Sequence, residues 1–289
     1  MRRIGLFTNT TKPNAVKWAE TAVRMLQVAG AECCAEPEVV GQFSSSGIRS
    51  IRSIPAEEFD RFADVIISFG GDGTMLTAAR LFLNSNIPIM GVNFGKLGFL
   101  AEFNANEMET ALSSIMTGNY IIEDRAMAEA VIDGETLYAL NDFVVQRKNS
   151  ARMITIRAYV DGNLTADYRA DGLIVSTPTG STAYSLSCGG PIIAPSCSVF
   201  CITPISPHSL TLRPLVVPDT SEICLEPTSE PGDIQLVADG QVVRTIKSGE
   251  PIIIRRSAEE VKLVRQAGGS YYDLLKKKLL WSANATEGK

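Results

Sequence analysis

The tightest grouping of chemistry-bearing residues is Gly70-Gly71-Asp72-Gly73-Thr74, which follows the apolar run Asp64 to Phe69 and precedes a helical pattern from Thr74 to Leu83. Glycines let the backbone approach a bound anion closely, and the N–H groups opening the next helix favour negative charge. Gly70, Gly71, Gly73 and Thr74 therefore read as a loop for a phosphate donor. Asp72 is the odd member. In a loop built only for phosphate an acid repels the ligand, so Asp72 is assigned to a proton or a metal beside that phosphate. An ordinary strand-to-helix turn with an acid near the helix N-terminus carries the same pattern. The second dense motif, Ser176 to Tyr184, places Ser176, Thr177, Thr179, Ser181 and Thr182 ahead of the Tyr184 ring. This reads as a hydrogen-bonding surface with one aromatic wall, suited to a ribose or amide edge and a stacked base. The plainer alternative is a Ser/Thr-rich loop entering a helix capped by Ser181 or Thr182.

The elements that must position these residues fall into two patterns. Up to about Gly118, short apolar runs alternate with helical segments, as in a parallel α/β sheet. Arg3 to Phe7 predicts a first strand, Asn14 to Ala29 a helix, Asp64 to Phe69 a second strand, and Ile87 to Val92 a third. Gln42 to Ser53 lacks an apolar period and reads as a mobile surface loop. After Gly118 the pattern changes to short β runs punctuated by Asp133-Gly134, Asp161-Gly162, Asp171-Gly172 and Asp239-Gly240. Asp-Gly between alternating strands signals a hairpin. The first two pairs fit it well, whereas Asp171-Gly172 fits less well and its acid is available to a ligand. Helical spacing returns from Tyr271 to Trp281, and 283–289 reads as a frayed terminus. The expected fold is α/β plus all-β: a Rossmann-like parallel domain over 1–118, a β-sandwich-like domain over 119–265, and a segment over 266–289 packing back on the first.

Composition narrows the function classes. The chain has 289 residues, 45% hydrophobic content and a formal net charge of −5, which suits one or two globular domains and argues against broad nucleic-acid binding. No apolar stretch suits a membrane span, and Met1 to Phe7 runs into polar Thr8-Asn9-Thr10, so no membrane partner and a cytoplasmic location are expected. The six cysteines lack paired metal-ligand spacing and read as reduced, mostly buried thiols. No protein-held metal site is expected. With His208 the single histidine, a His-centred relay would rest on that residue, which reads as a packed structural one.

Together with Asn93-Phe94-Gly95-Lys96-Leu97-Gly98-Phe99-Leu100, Leu140-Asn141-Asp142 and the run Pro207 to Leu215, the order and spacing of these motifs resemble the NAD kinase family from about Ile4 to Trp281. The glycine turn alone is shared with diacylglycerol, sphingosine and phosphofructo-kinase relatives. The runs Asp171 to Tyr184 and Asn93 to Leu100 are much more specific. The resemblance implies phosphoryl transfer to the 2′-hydroxyl of the adenosine ribose of NAD, giving NADP, with ATP or another phosphate donor and a divalent ion such as Mg²⁺. It makes Asp72 the general base, in keeping with a reaction that needs positioning and a proton acceptor. Gly73 and Phe94 would lie near the adenosine half, and Asn141 and Asp142 would bind the other ribose or the adenine edge. Thr179, Thr182, Ala183, Tyr184 and Ser187 would line the dinucleotide cleft. Asp171 would face the nicotinamide end, in this family often from a neighbouring subunit of a homodimer or homotetramer. Arg169 beside it bears on the choice between NAD and NADH. Asp142 stands where many relatives have glutamate, one methylene longer, and Ala170 replaces a glycine or serine. Two alternatives remain open: a lipid or other alcohol kinase of the same superfamily, which needs an apolar acyl cavity, and a dinucleotide sensor without turnover.

Overall fold

The computed structural model of the chain describes residues 2–44, 47–48, 50–95, 98–148, 152–230 and 234–280. The chain divides into two compact units, Met1–Asp124 with Val261–Lys289, and Arg125–Glu260. Among the described residues no helix is long and apolar enough to cross a membrane.

The first unit is a parallel sheet with helices. In chain order it holds β1 (Arg3–Thr8), α1 (Pro13–Val28), β2 (Glu32–Ala35), α2 (Pro37–Val40), β3 (Arg52–Ser53), β4 (Val65–Phe69), α3 (Asp72–Leu81), β5 (Ile89–Asn93), β6 (Phe103–Asn104) and α4 (Met108–Thr117). Strand β1 pairs with β2 on one side and β4 on the other, β4 continues to β5, and β5 to β6, all parallel. Buried on both faces, β4 and β5 are near-continuous apolar runs. Ala15, Ala19, Ala22, Val23 and Leu26 form the inner stripe of α1 and pack with Ile4, Leu6, Val65, Ile67 and Met90. The segment expected as a mobile loop is partly ordered by pairing, because Arg52 and Ser53 align with Cys34 and Ala35 and Ile48 and Ile51 pack against the core. Ser45 and Ser46 lie outside the described residues.

The second unit is antiparallel. It is built from β7 (Tyr120–Ile132), β8 (Glu135–Ala139), β9 (Asp142–Arg147), β10 (Ile154–Val160), β11 (Asn163–Ala170), β12 (Gly172–Ser176), α5 (Tyr184–Ser187), β13 (Val199–Ile205), β14 (Leu215–Pro218), β15 (Ile223–Thr228), β16 (Ile234–Ala238), β17 (Val242–Ile246) and β18 (Ile252–Gln266). Strands β7 and β18 carry the chain across the unit boundary, and α6 (Tyr271–Leu279) follows in the first unit. Six strands run in the order β14-β13-β12-β9-β16-β17. The other sheet contains β11-β10-β15-β18. The expected hairpins form at Asp133-Gly134 and Asp161-Gly162, with Ile132 opposite Glu135 and Val160 opposite Asn163. At Asp171-Gly172 the chain instead passes directly from β11 into β12.

Alternation along β9 decides which side chains reach the site. Phe143 and Val145 enter the main core with Leu173, Val175, Phe200 and Ile254. Asp142, Val144 and Gln146 therefore face the other way, into a pocket.

Candidate active site

Helix α3 starts two residues earlier than its pattern predicts, with Gly71 as its extended N-cap and Asp72 in its first turn. Glycine and aspartate are weak helix formers, which hides the true start. The Asp72 carboxylate accepts three backbone N–H bonds: Phe99 to Oδ2 at 2.8 Å, and Leu100 and Ala101 to Oδ1 at 3.2 Å each. A carboxylate offers about four acceptor positions, so among the described residues one is left on Oδ2.

The strip that holds Asp72 is itself held. Arg265, buried, donates to the carbonyls of Leu100 at 3.2 Å and Phe99 at 3.5 Å, and to Glu123 at 2.9 Å. The intervening peptides are thus polarised between a cation and the Asp72 anion. A Cβ on Gly98 would lie 1.7 Å from Asp72 Oδ1. Gly98→Ala is accordingly expected to displace the carboxylate and cut turnover at least about tenfold, since sub-ångström misplacement of a reacting group costs that much or more; wild-type turnover in a steady-state assay would show that the strip has room to shift.

The rest of the glycine turn is ordinary helix-entry geometry. Gly71 O accepts from Thr74 and Met75, Gly70 N donates to Val92 O, and Asn9 Nδ2 donates to Thr74 Oγ1 at 3.3 Å. Gly73 is exposed. A Cβ on Gly71 would lie 3.4 Å from Lys12 Nζ, so a cation stands beside the turn. Phe94 is stacked between Trp18 and Phe69, with ring centroids 5.8 and 5.9 Å away, and lines a pocket of about 230 Å³ with Thr11, Lys12 and Gly95. Lys96 and Leu97 lie outside the described residues.

In the second unit a pocket of about 290 Å³ brings together Asn141, Asp142, Ala183 and Tyr184, with Gln146, Asp239 and Gly240. The hydroxyls of Ser176 to Tyr184 do not form the surface expected of them: Ser176, Thr177, Thr179 and Ser181 are buried. Three of the hydroxyls hold the loop: Thr177 Oγ1 donates to Leu140 O at 2.5 Å, Ser181 Oγ to Pro178 O at 2.7 Å, and Thr182 Oγ1 to Thr179 O. Residues 179–182 form a 3₁₀ turn in which Thr179, Gly180 and Ser181 are buried. Arg125, also buried, donates to Thr179 Oγ1 at 3.2 Å. Tyr184 is 43% exposed and supplies the aromatic wall. Burial raises its phenol pKa first, followed by the charges of Cys188, Asp171 and Asp142.

Asp142 is 4% exposed, and its carboxyl makes no hydrogen bond among the described residues. Burial, and then the Asp239 charge, push its pKa up to about 7. Asp171 is ion-paired with Arg147 at 3.3 Å. Arg169 and Ser187 are exposed and are not among the residues lining this pocket. His208, expected to be packed, is exposed; only its backbone is tied in, donating to Arg169 O. The following residues alternate exposed and half-buried on the surface, which leaves the ring without a core to enter.

Sequence reasoning missed Lys12, Arg265 and Asp239. Asp239 was absorbed into a hairpin signal, and the other two act through contacts far along the chain that local patterns do not carry.

Comparison with known proteins places both parts of the chain in one family. The ATP-NAD kinase N-terminal domain family matches residues 4–120 and the ATP-NAD kinase C-terminal domain family matches 140–266. The chain is 38% identical over 288 residues to an NAD kinase of Bacteroides fragilis, spanning 98% of this chain and 99% of that one. Its structure is similar to an NAD kinase from Archaeoglobus fulgidus in complex with ATP, at a TM-score of 0.77 and 26% identity over 96% of this chain and 99% of that one. The fold is shared with yeast NADH kinase complexed with NADH, at a TM-score of 0.90 and 23% identity over 100% of this chain and 90% of that one. With both domains of one family matched in order and a relative aligned almost end to end, the chain belongs to the NAD kinase family and is a phosphotransferase.

Proposed function

We propose that the chain phosphorylates the 2′-hydroxyl of the adenosine ribose of NAD, using ATP, with Asp72 as the general base. The observation that carries this is the Asp72 carboxylate, fixed by three backbone N–H groups with one acceptor position left over. Phosphoryl transfer asks little covalent chemistry of a protein; it asks for positioning, charge neutralisation and a place for the hydroxyl proton. A rigid carboxylate with one vacant lone pair meets the last requirement. Charge neutralisation falls to Lys12 and to the N–H groups opening α3, beside which Gly70, Gly71, Gly73 and Thr74 would receive the donor phosphates.

The second unit would hold the dinucleotide, with Asn141, Asp142 and Ala183 contacting it and Tyr184 stacking on its base. Thr179 and Thr182 support that surface from within. Arg169, Asp171 and Ser187 would act at its edge, and Phe94 and Gly73 near the adenosine. Among the described residues no cluster of three or more His, Cys, Asp or Glu side chains offers a metal cage. Mg²⁺ would therefore arrive on the donor phosphates, as that ion commonly does. A homodimer or homotetramer goes with the reading, supported by the exposed Leu215, Val216 and Val243 on the edge strands β14 and β17. So does a cytoplasmic location, where the buried thiols Cys33, Cys34 and Cys201 stay reduced.

The reading is tested by incubating the purified chain with NAD, ATP and Mg²⁺ and locating the new phosphate on the product by NMR. A 2′-phosphate is expected; a phosphate elsewhere, or on an added lipid alcohol, points to the related kinases. Tyr184→Ala is expected to weaken NAD binding about tenfold or more, the scale of a lost base stack, and ATP binding by much less. Equal losses in both titrations would mean that the ring does not wall the dinucleotide site.

A further inference from the structure

The Asp239 carboxylate spends its oxygens on the backbone of the segment that carries Asn141 and Asp142. It accepts from Leu140 N at 3.0 Å, Asn141 N at 2.7 Å and Asp142 N at 3.2 Å, and Asp239 N donates back to Asp142 O at 3.0 Å. Asp239 sits at φ +52° at the β16–β17 turn, buried. From the other side, Thr177 N and Oγ1 donate to Asn141 O and Leu140 O, and a Cβ on Gly180 would lie 2.0 Å from Asn141 O. The segment is clamped on both sides, and the Asp142 carboxyl, which makes no hydrogen bond among the described residues, borders the pocket.

We propose that Asp239 is a positioning residue for dinucleotide binding, and that the buried, negatively charged setting it creates presents Asp142 to the ligand as a neutral carboxylic acid, an O–H donor to an acceptor atom of the nucleoside. The inference rests on the NAD kinase reading and deepens it. Two carboxyl groups this close do not both ionise readily, and the one holding three N–H bonds keeps the charge. That one is Asp239. Among the described residues, Asp142 also acts on Tyr184 at the start of α5 and on Cys188 just after it, both acids raised by burial and by Asp142, so neither supplies a compensating cation. A neutral Asp142 also spares the pyrophosphate of the ligand a repelling charge.

The sign of the pH dependence follows. Asp142 is protonated below about pH 7 and ionised above it, so NAD binding weakens as pH rises through neutrality. The test is NAD binding to the full chain, read as thermal upshift without donor and as KM and kcat with ATP, between pH 5.5 and 8.5. In D239N the amide oxygen still accepts from Asn141 and Asp142, but the Leu140 bond and the charge are lost. The expected result is about tenfold weaker NAD binding, the scale of one charge-assisted hydrogen bond, falling on KM rather than kcat, and a lower pH midpoint. An unchanged affinity and midpoint overturns the proposal.

Should D239N fail to fold, D142N decides: loss of the pH dependence supports the neutral acid, and a retained midpoint near 7 overturns it. The donor-free thermal shift separates the two readings. A chain that binds NAD with the expected pH dependence but makes no NADP fails as a kinase and not on this point, whereas a pH-independent shift fails here alone.

Discussion

Asp72→Asn is expected to lower NADP formation by roughly 10²- to 10⁴-fold, the range for removing a general base, while NAD still binds. The substitution is nearly isosteric and leaves the amide oxygen able to accept from Leu100 and Ala101, both of which bond to Oδ1. The amide nitrogen then faces the Phe99 N–H, donor against donor, where Oδ2 had accepted at 2.8 Å. One buried hydrogen bond is lost, at a cost of about 1–3 kcal/mol of stability. A thermal melt and an NAD titration on the same preparation separate this modest loss from the catalytic one. Parallel declines in stability, NAD affinity and turnover would make Asp72 a fastener of the 98–101 strip and nothing more.

The second large effect is on stability between about pH 5 and neutrality, and it comes from Asp142→Asn. Asp142 titrates near 3.9 when unfolded and at about 7 when folded. Folding therefore penalises its ionised form. The penalty is absent below about pH 4, grows through the interval up to about 7, and is constant above it. Each unit of that interval is worth about 1.4 kcal/mol, so the asparagine variant should gain about 2 kcal/mol or more on the wild type between pH 5 and pH 8. Urea unfolding at the two pH values measures the difference directly. A pH-independent difference would mean that Asp142 ionises in the folded chain as it does in water. A stabilising effect of the substitution would fit a role of Asp142 in the proposed dinucleotide site.

The sequence showed most clearly what backbone geometry demands. The Gly70 to Thr74 turn was legible because the strand turns into the helix so tightly that a Cβ on Gly70 would lie 2.1 Å from Thr74 Oγ1, and the hairpins at Asp133-Gly134 and Asp161-Gly162 because φ is positive at both residues of each. The parallel pattern of β4 and β5 was legible in their uninterrupted apolar runs. Side-chain direction was not. Five hydroxyls near Tyr184 announced polarity, but four of them, Ser176, Thr177, Thr179 and Ser181, are buried, a direction that residue type alone does not carry. Asp239 was read as a turn residue because that signal is local, while its carboxylate serves residues 97 to 99 positions earlier in the chain. Arg265 reaches back still further, to Leu100 and Phe99. His208 shows the opposite error: a lone histidine was expected to be packed as a structural residue, whereas the chain there lies on the surface.

On the proposed function, the first unit would carry the base and the donor turn and the second the dinucleotide pocket. The most direct test of that account is NADP formation from NAD, ATP and Mg²⁺ by the wild-type chain beside Asp72→Asn, with NAD binding measured for both. The account predicts NADP from the wild type, a loss of at least about a hundredfold in the variant, and similar NAD affinity in the two. Comparable turnover by both would contradict it, because the carboxylate held by Phe99, Leu100 and Ala101 would then have no part in moving the proton.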